Sequence, residues 1–179
     1  MDDAPLADTH LVTRAKAGRV DAFEELVRRH RLRVYRVALR MLGDPGEAED
    51  ATQDAFVQAW RGMSRFRADS AFSTWMYRIV TNRCLNVLRK RRPDSPLPED
   101  HRATGEGPAE VVEAATRIAD LRRAIERLTP EQRAPVVLRE LEGCSYEQLA
   151  EALDITVPAV KSRLHRARME LVSAMRQWR

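Results

Sequence analysis

The stretch Ser145-Tyr146-Glu147-Gln148-Leu149-Ala150-Glu151-Ala152-Leu153-Asp154-Ile155-Thr156-Val157-Pro158-Ala159-Val160-Lys161-Ser162-Arg163-Leu164-His165-Arg166-Ala167-Arg168 holds two helix starts divided by a tight turn. Ser145 followed by Gln148 is a capping box, and the short helix it opens runs through Leu153. Thr156 opens a longer one, from about Val157 to Gln177. Short helix, turn and long helix make a helix-turn-helix. At about 100° per residue, Val160, Leu164, Ala167 and Leu171 fall in one narrow stripe that must pack inward. Opposite it lie Pro158, Ser162, His165 and Met169, with Lys161 and Arg166 on the flanks. Such a face suits a major groove: Lys161 and Arg166 can reach guanine acceptors or phosphates, and Ser162 and His165 can hydrogen-bond base edges.

Upstream, Thr129-Pro130-Glu131-Gln132 combines an N-cap, a proline at the first helical position and a glutamine at the third. Pro135 lies inside the helix so opened and predicts a kink or a later start. Gly143 breaks that helix, and a further helical pattern runs from about Val111 to Leu128. Between Pro93 and Glu113 no helix is sustainable, because Pro93, Pro96, Pro98 and Pro108 alternate with Gly105 and Gly107. This segment has a net charge of −5 and is expected to be a flexible acidic linker. Fully stretched, it spans about 70 Å.

The N-terminal part is helical too. Asp21 with Glu24 reads as a capping-box start for a helix with apolar positions Phe23, Leu26, Val27, Val34, Val37, Ala38 and Met41, ended by Gly43. Asp44-Pro45-Gly46-Glu47 starts the next, to about Trp60, and Ser70 starts a third that reaches Arg92. No strand-like alternation of useful length occurs. The expected fold is all-α: a helical domain over residues 1–92, the linker over 93–113, and a helix-turn-helix domain over 114–179.

Composition narrows the function. The 179 residues are 44% hydrophobic and 32% charged, which excludes wholesale disorder, and no apolar run approaches the roughly 20 residues of a membrane span. The acidic start, Met1-Asp2-Asp3-Ala4-Pro5, is unlike a secretory signal, so a cytoplasmic location is expected, without membrane insertion. Cys84 and Cys144 stand in no paired ligand spacing and read as free thiols. The four histidines are scattered and no phosphate loop or catalytic triad pattern appears, so neither an enzyme, a metal nor a cofactor is expected.

The net charge of +4 conceals strong segregation. Residues 65–92 carry +7 and residues 156–179 carry +5, on either side of the acidic linker. Clustered arginines release counterions from phosphates, so both basic segments are candidate nucleic-acid surfaces. Just before the first, Phe66-Arg67-Ala68-Asp69-Ser70-Ala71-Phe72-Ser73-Thr74-Trp75 mixes aromatic, small and hydrogen-bonding residues, which suits an unstacked base. In the helix from Asp44, the N-terminal dipole accounts for Asp44 and Glu47. Asp50, Gln53 and Asp54 lie too far along for that and suggest a protein-binding face.

Asp21-Ala22-Phe23, Asp50-Ala51-Thr52-Gln53-Asp54-Ala55-Phe56, the Phe66–Trp75 segment, and Val160-Lys161-Ser162-Arg163-Leu164 followed by Arg166-Ala167-Arg168 together resemble bacterial extracytoplasmic-function (ECF) sigma factors of the sigma-70 family. The resemblance runs in order from about Leu11 to Arg176. It implies a protein that binds core RNA polymerase, carries it to particular promoters and helps open the DNA, commonly under an anti-sigma partner. By position, Asp50, Gln53 and Asp54 would meet the polymerase clamp helices. Phe66, Arg67, Ala68, Asp69, Ser70 and Ala71 would hold a base flipped from the non-template strand of the minus-ten element, with Trp75, Arg78, Asn82 and Arg83 beside it. Pro158, Lys161, Ser162, His165 and Arg166 would read the minus-thirty-five element as duplex. The alternative is a conventional helix-turn-helix regulator with an N-terminal interaction domain. That reading predicts a stable dimer and leaves the basic aromatic segment without a role.

Overall fold

The computed structural model describes residues 7–67, 69–91 and 119–176. Among them are eight α-helices and no strand: α1 (Asp8–Lys16), α2 (Val20–Leu42), α3 (Pro45–Gly62), α4 (Phe72–Lys90), α5 (119–127), α6 (Pro130–Glu140), α7 (Tyr146–Leu153) and α8 (Val157–Arg176). A 3-10 turn, Met63–Arg65, follows α3 directly. The expected linker over 93–113 and the helical pattern over 111–118 lie outside the described residues.

Helices α1 to α4 pack as one bundle around α2, whose inward side is lined by Leu26, Val34, Val37, Ala38, Met41 and Leu42. Small residues on α3, namely Ala48, Ala51, Ala55 and Ala59, let its backbone come close to that side. Asp44 caps α3 as expected, its Oδ1 accepting from the Glu47 N–H at 2.8 Å. Two expected starts are corrected. Helix α2 begins at Val20 with Arg19 in the cap position and no side-chain cap, and Asp21 sits within the first turn, paired with Arg14 (2.5 Å) and Arg19 (3.1 Å). Helix α4 begins at Phe72 after Ala71, not at Ser70, and ends at Lys90. Helix α1 was not expected at all. It docks through Leu11, Val12 and Ala15, and its Asp8 carboxylate meets the His30 ring at 2.7 Å and Arg29 at 3.1 Å.

Helices α6, α7 and α8 form the second unit, with Leu138, Leu149, Val160, Leu164 and Ala167 at its centre. Ser145 caps α7 reciprocally with Gln148, and Gln132 Oε1 accepts from the Thr129 N–H at 3.1 Å ahead of α6. Thr156 Oγ1 accepts from the Ala159 N–H at 3.3 Å and so opens α8. The expected late start or kink at Pro135 is replaced by an unbroken α6 that starts at Pro130. The Pro135 ring is buried, and the carbonyl it deprives of a donor belongs to the exposed Glu131.

The two units are packed together: α4 lies against α7 and α6, and α2 against α6. The joint centres on the C-terminus of α2. Its last carbonyls point at three guanidinium groups: Met41 O accepts from Arg133 (2.5 Å), Leu42 O from Arg91 (2.8 Å) and Gly43 O from Arg122 (3.4 Å). Cations suit this end of a helix, where unpaired carbonyls and the dipole concentrate negative potential. Gly43 closes α2 at φ 77°, a left-handed conformation natural to glycine, and a Cβ there would meet Glu126 Oε1 at 3.3 Å. Arg133 is buried and also donates to the carbonyls of Ile125, Glu126 and Leu128. Burial lowers its proton affinity, but four carbonyls around the fork keep it charged.

Arg133→Ala should therefore strand several buried carbonyls and cost about 3 kcal/mol. Arg133→Lys should recover only part of this, because one ammonium cannot serve the whole set. Urea denaturation checks both, as a lower midpoint at an unchanged slope.

Candidate polymerase and nucleic-acid interfaces

On α3, the alanines and Phe56 that face α2 turn the opposite side of the helix outward. Asp50, Gln53 and Asp54 are all exposed there, in one stripe that continues through the exposed Val57 and Trp60. The stripe is acidic at one end and apolar at the other, a composition for a protein partner and not for DNA. The sequence reading named neither Val57 nor Trp60 for this face, because an apolar residue on an amphipathic helix carries no local sign that it faces outward. Trp60 is anchored by a tilted contact with Phe23, ring centroids 5.0 Å apart.

The segment after α3 is organised by aromatic rings. Phe66 is buried, stacked on Trp75 at 4.5 Å and edge-on to Phe72 at 6.3 Å, and Phe72 in turn meets His30. Phe66 thus holds the loop from beneath. Arg67, Asp69 and Ala71 are exposed, Ser70 is half-buried, and Ala68 lies outside the described residues. Arg67 and Asp69 pair at 3.3 Å on the loop surface. Next to it, Trp75, Arg78, Ile79 and Asn82 of α4 combine with Gln58 and Gly62 of α3 around an open cavity of about 230 Å³. Three of the expected minus-ten residues, Trp75, Arg78 and Asn82, are brought together here. Gln58 and Gly62 had no sequence signal, since they arrive from the neighbouring helix. Arg83 points elsewhere: it pairs with Asp54 at 2.5 Å, and its Nε is buried without an acceptor. An expected DNA contact and an expected polymerase contact thereby neutralise one another.

On α8, the inward stripe is as expected: Val160, Leu164 and Ala167 are buried and Leu171 half-buried. Pro158, Lys161, Ser162, His165 and Arg166 are all exposed along the N-terminal half. The Lys161 ammonium lies 5.5 Å from the Tyr146 ring of α7, and Arg139 covers the same ring at 4.8 Å, which ties α8 to α7. Arg168 pairs with Glu140 at 3.0 Å, and Gln132 donates to Glu170 at 2.6 Å. These contacts fix the angle of α8 and leave its outer face free of intramolecular ion pairs at Lys161 and Arg166 among the contacts described.

Both cysteines are free and buried, on different units. Burial pushes the Cys84 thiol up to about 12 and the Cys144 thiol up to about 11, the latter helped by the Glu142 charge. The Tyr77 phenol is raised as well, by burial and by its hydrogen bond to Glu142. Native protein at pH 8 should therefore react with a thiol reagent orders of magnitude more slowly than unfolded protein, measured by dithionitrobenzoate absorbance with and without denaturant. Because the unfolded thiols ionise first, stability should also fall as the pH climbs past 9. For the Arg83–Asp54 pair, a double-mutant cycle should give a coupling of about 1 kcal/mol or less, as both side chains are partly exposed to water.

Residues 26–93 match the family described as Sigma-70 region 2, and residues 118–171 match Sigma-70, region 4. The chain is 41% identical over 167 residues to the ECF RNA polymerase sigma factor SigM of Mycobacterium tuberculosis, covering 92% of this chain and 83% of that one. It is 36% identical over 180 residues to the RNA polymerase sigma-H factor of Pseudomonas aeruginosa, covering 94% and 93%. Against SigE of Mycolicibacterium smegmatis it is 38% identical and spans 60% of that protein's length. Among solved structures, CnrH in complex with the cytosolic domain of CnrY is similar over 95% of this chain and 97% of that one, with a TM-score of 0.73 and 27% identity. The matches account for both helical units, whereas a conventional regulator would account only for the second. With region 2 and region 4 both present and in order, this chain belongs to the ECF sigma factors of the sigma-70 family.

Proposed function

We propose that this sigma factor docks on core RNA polymerase through the α3 stripe, reads and opens the minus-ten element at the cavity between α3 and α4, and reads the minus-thirty-five element with the outer face of α8. The observation that carries the assignment is the separation of three exposed surfaces of different chemistry. Acids and apolar groups lie on α3, an aromatic slot with Arg78 and Asn82 lies on α4, and cations with small hydrogen-bonding groups lie on α8. A base extruded from the stack needs an apolar slot with polar rims, and Trp75 and Ile79 with Gln58 and Asn82 supply those types. Flipping costs a few kcal/mol, which stacking and rim contacts would offset. An anti-sigma protein is the expected regulator, supported by a relative solved with the cytosolic domain of a second protein. The buried thiols argue against direct redox sensing by this chain. Among the described residues no helix is long and apolar enough to cross a membrane.

The test is promoter-specific transcription with purified core. Reversing charge in Asp50→Lys/Asp54→Lys should abolish competition for core while leaving helix content unchanged; retained affinity would refute the α3 assignment. Lengthening the promoter spacer by half a helical turn should cripple transcription, because the second element rotates away from its reader. Undiminished output would show that the two elements are not bound together.

A further inference from the structure

We infer that Asp8 and His30 are positioning residues for the slot between α3 and α4: the carboxylate orients the imidazole, the imidazole seats Phe72, and Phe72 sets the Trp75 ring that lines the cavity. The inference rests on the reading of that cavity as the seat of an extruded base.

The start of α4 needs an external hold. Ala71 stands in its cap position and no side chain caps it, so the first turn is placed by what Phe72 packs against. Phe72 is buried, with its ring centroid 5.1 Å from that of His30 in an edge-on contact, 6.3 Å from Phe66 and 5.9 Å from Trp75. Phe66 and Trp75 stack at 4.5 Å. A shift of Phe72 is therefore passed to Trp75 by two routes, directly and through Phe66. His30 supplies the polar ring of this cluster, and its side chain is only 9% exposed. Its Nε2 lies 2.7 Å from Asp8 Oδ2. An ionised carboxylate only accepts, so Nε2 donates and the ring is held in one orientation. Without the carboxylate, that buried N–H loses its partner and the ring must turn to find another.

Asp8 comes from α1, which lies ahead of residues 26–93 matched to region 2. The same helix packs against the Met63–Arg65 turn that leads into the loop, and against α4. Helix α1 thus holds the loop at both ends, by packing at its entry and through His30 at its exit. Asp8 Oδ1 also accepts from Arg29 at 3.1 Å, and Arg29 is engaged by Glu25 at 2.7 Å. The Arg29 contact ties α1 to α2, and the imidazole contact leads on to the aromatic cluster. Substitution can therefore separate docking of α1 from positioning of the slot.

The experiment uses the full chain, free and assembled with core polymerase. The probe is the single-stranded non-template strand of a promoter selected by the wild-type holoenzyme from a random-sequence library. In protein labelled with 5-fluorotryptophan, the fluorine resonance of Trp75, assigned by Trp75→Phe, should shift or broaden in Asp8→Ala. Holoenzyme carrying Asp8→Ala should bind the strand about fivefold or more weaker, as expected for partial loss of one stacking contact, and should compete for core as the wild type does. Asp8→Asn keeps an oxygen acceptor for Nε2–H and should restore both the resonance and the affinity. Arg29→Gln, which leaves the imidazole contact in place, should stay within about twofold of wild type. An unmoved Trp75 resonance in Asp8→Ala together with wild-type strand affinity would overturn the proposal. So would a loss in Arg29→Gln as large as that in Asp8→Ala, since α1 would then act only by being docked. Should Asp8→Ala undock α1, His30→Gln decides: it keeps an N–H for Asp8 and removes the ring, and a wild-type resonance and affinity there would refute the role of His30. If Trp75→Ala binds the strand as tightly as wild type, the reading of the cavity fails, and the resonance still decides whether Asp8 and His30 set Trp75.

Discussion

Three guanidinium groups converge on the last turn of α2, and much of the molecule is arranged so that they can. Helix ends leave carbonyls without donors, and a buried end must find them elsewhere. Here Arg91 arrives from the end of α4, Arg122 from α5 and Arg133 from α6. One helix terminus thus receives a donor from its own unit and two from the other. The left-handed turn at Gly43 exposes the carbonyls to this approach and sends the chain sharply into the Asp44 cap of α3.

Helix α3 leaves that turn with two duties. Its alanine side takes it close to α2, and its outer side is then free to carry acids, while Gln58 and Gly62 at its far end help to wall the cavity with α4. The surface proposed for polymerase and the surface proposed for melted DNA are therefore adjacent on one rigid element. The Asp54–Arg83 pair bridges them. On the proposed reading, strand opening and polymerase docking would share this one helix and would need no moving part to coordinate them.

Short-range chemistry was legible in the sequence. Asp44, Thr129, Ser145 and Thr156 each declare a helix within four residues, and the stripe of Val160, Leu164 and Ala167 fixes which way α8 faces. Long-range chemistry was not. Helix α1 follows an Ala in the cap position and is docked by Asp8 to groups more than 20 residues away on α2. Asp21 and Ser70 look like caps, but neither performs that role. A buried Arg133 is written with the same letter as a surface arginine, so the joint between the units leaves no periodic trace. Pro135 forecast a break that burial of its ring overrides. The candidate site divides the same way: residues contiguous on one helix were found, whereas Gln58, Gly62, Val57 and Trp60 acquire meaning only from what packs beside them.

Helix α4 acts as a strut. At one end Phe72 is wedged among Phe66, Trp75 and His30, and one residue past the other end Arg91 grips the Leu42 carbonyl. Nineteen helical residues measure about 28 Å. Both ends are clamped, so the helix works as a fixed gauge between the aromatic loop and the end of α2. Adding or removing a single residue within it would turn one end by about 100° against the other. Side chains along this gauge can be exchanged without moving its ends, but its length cannot change.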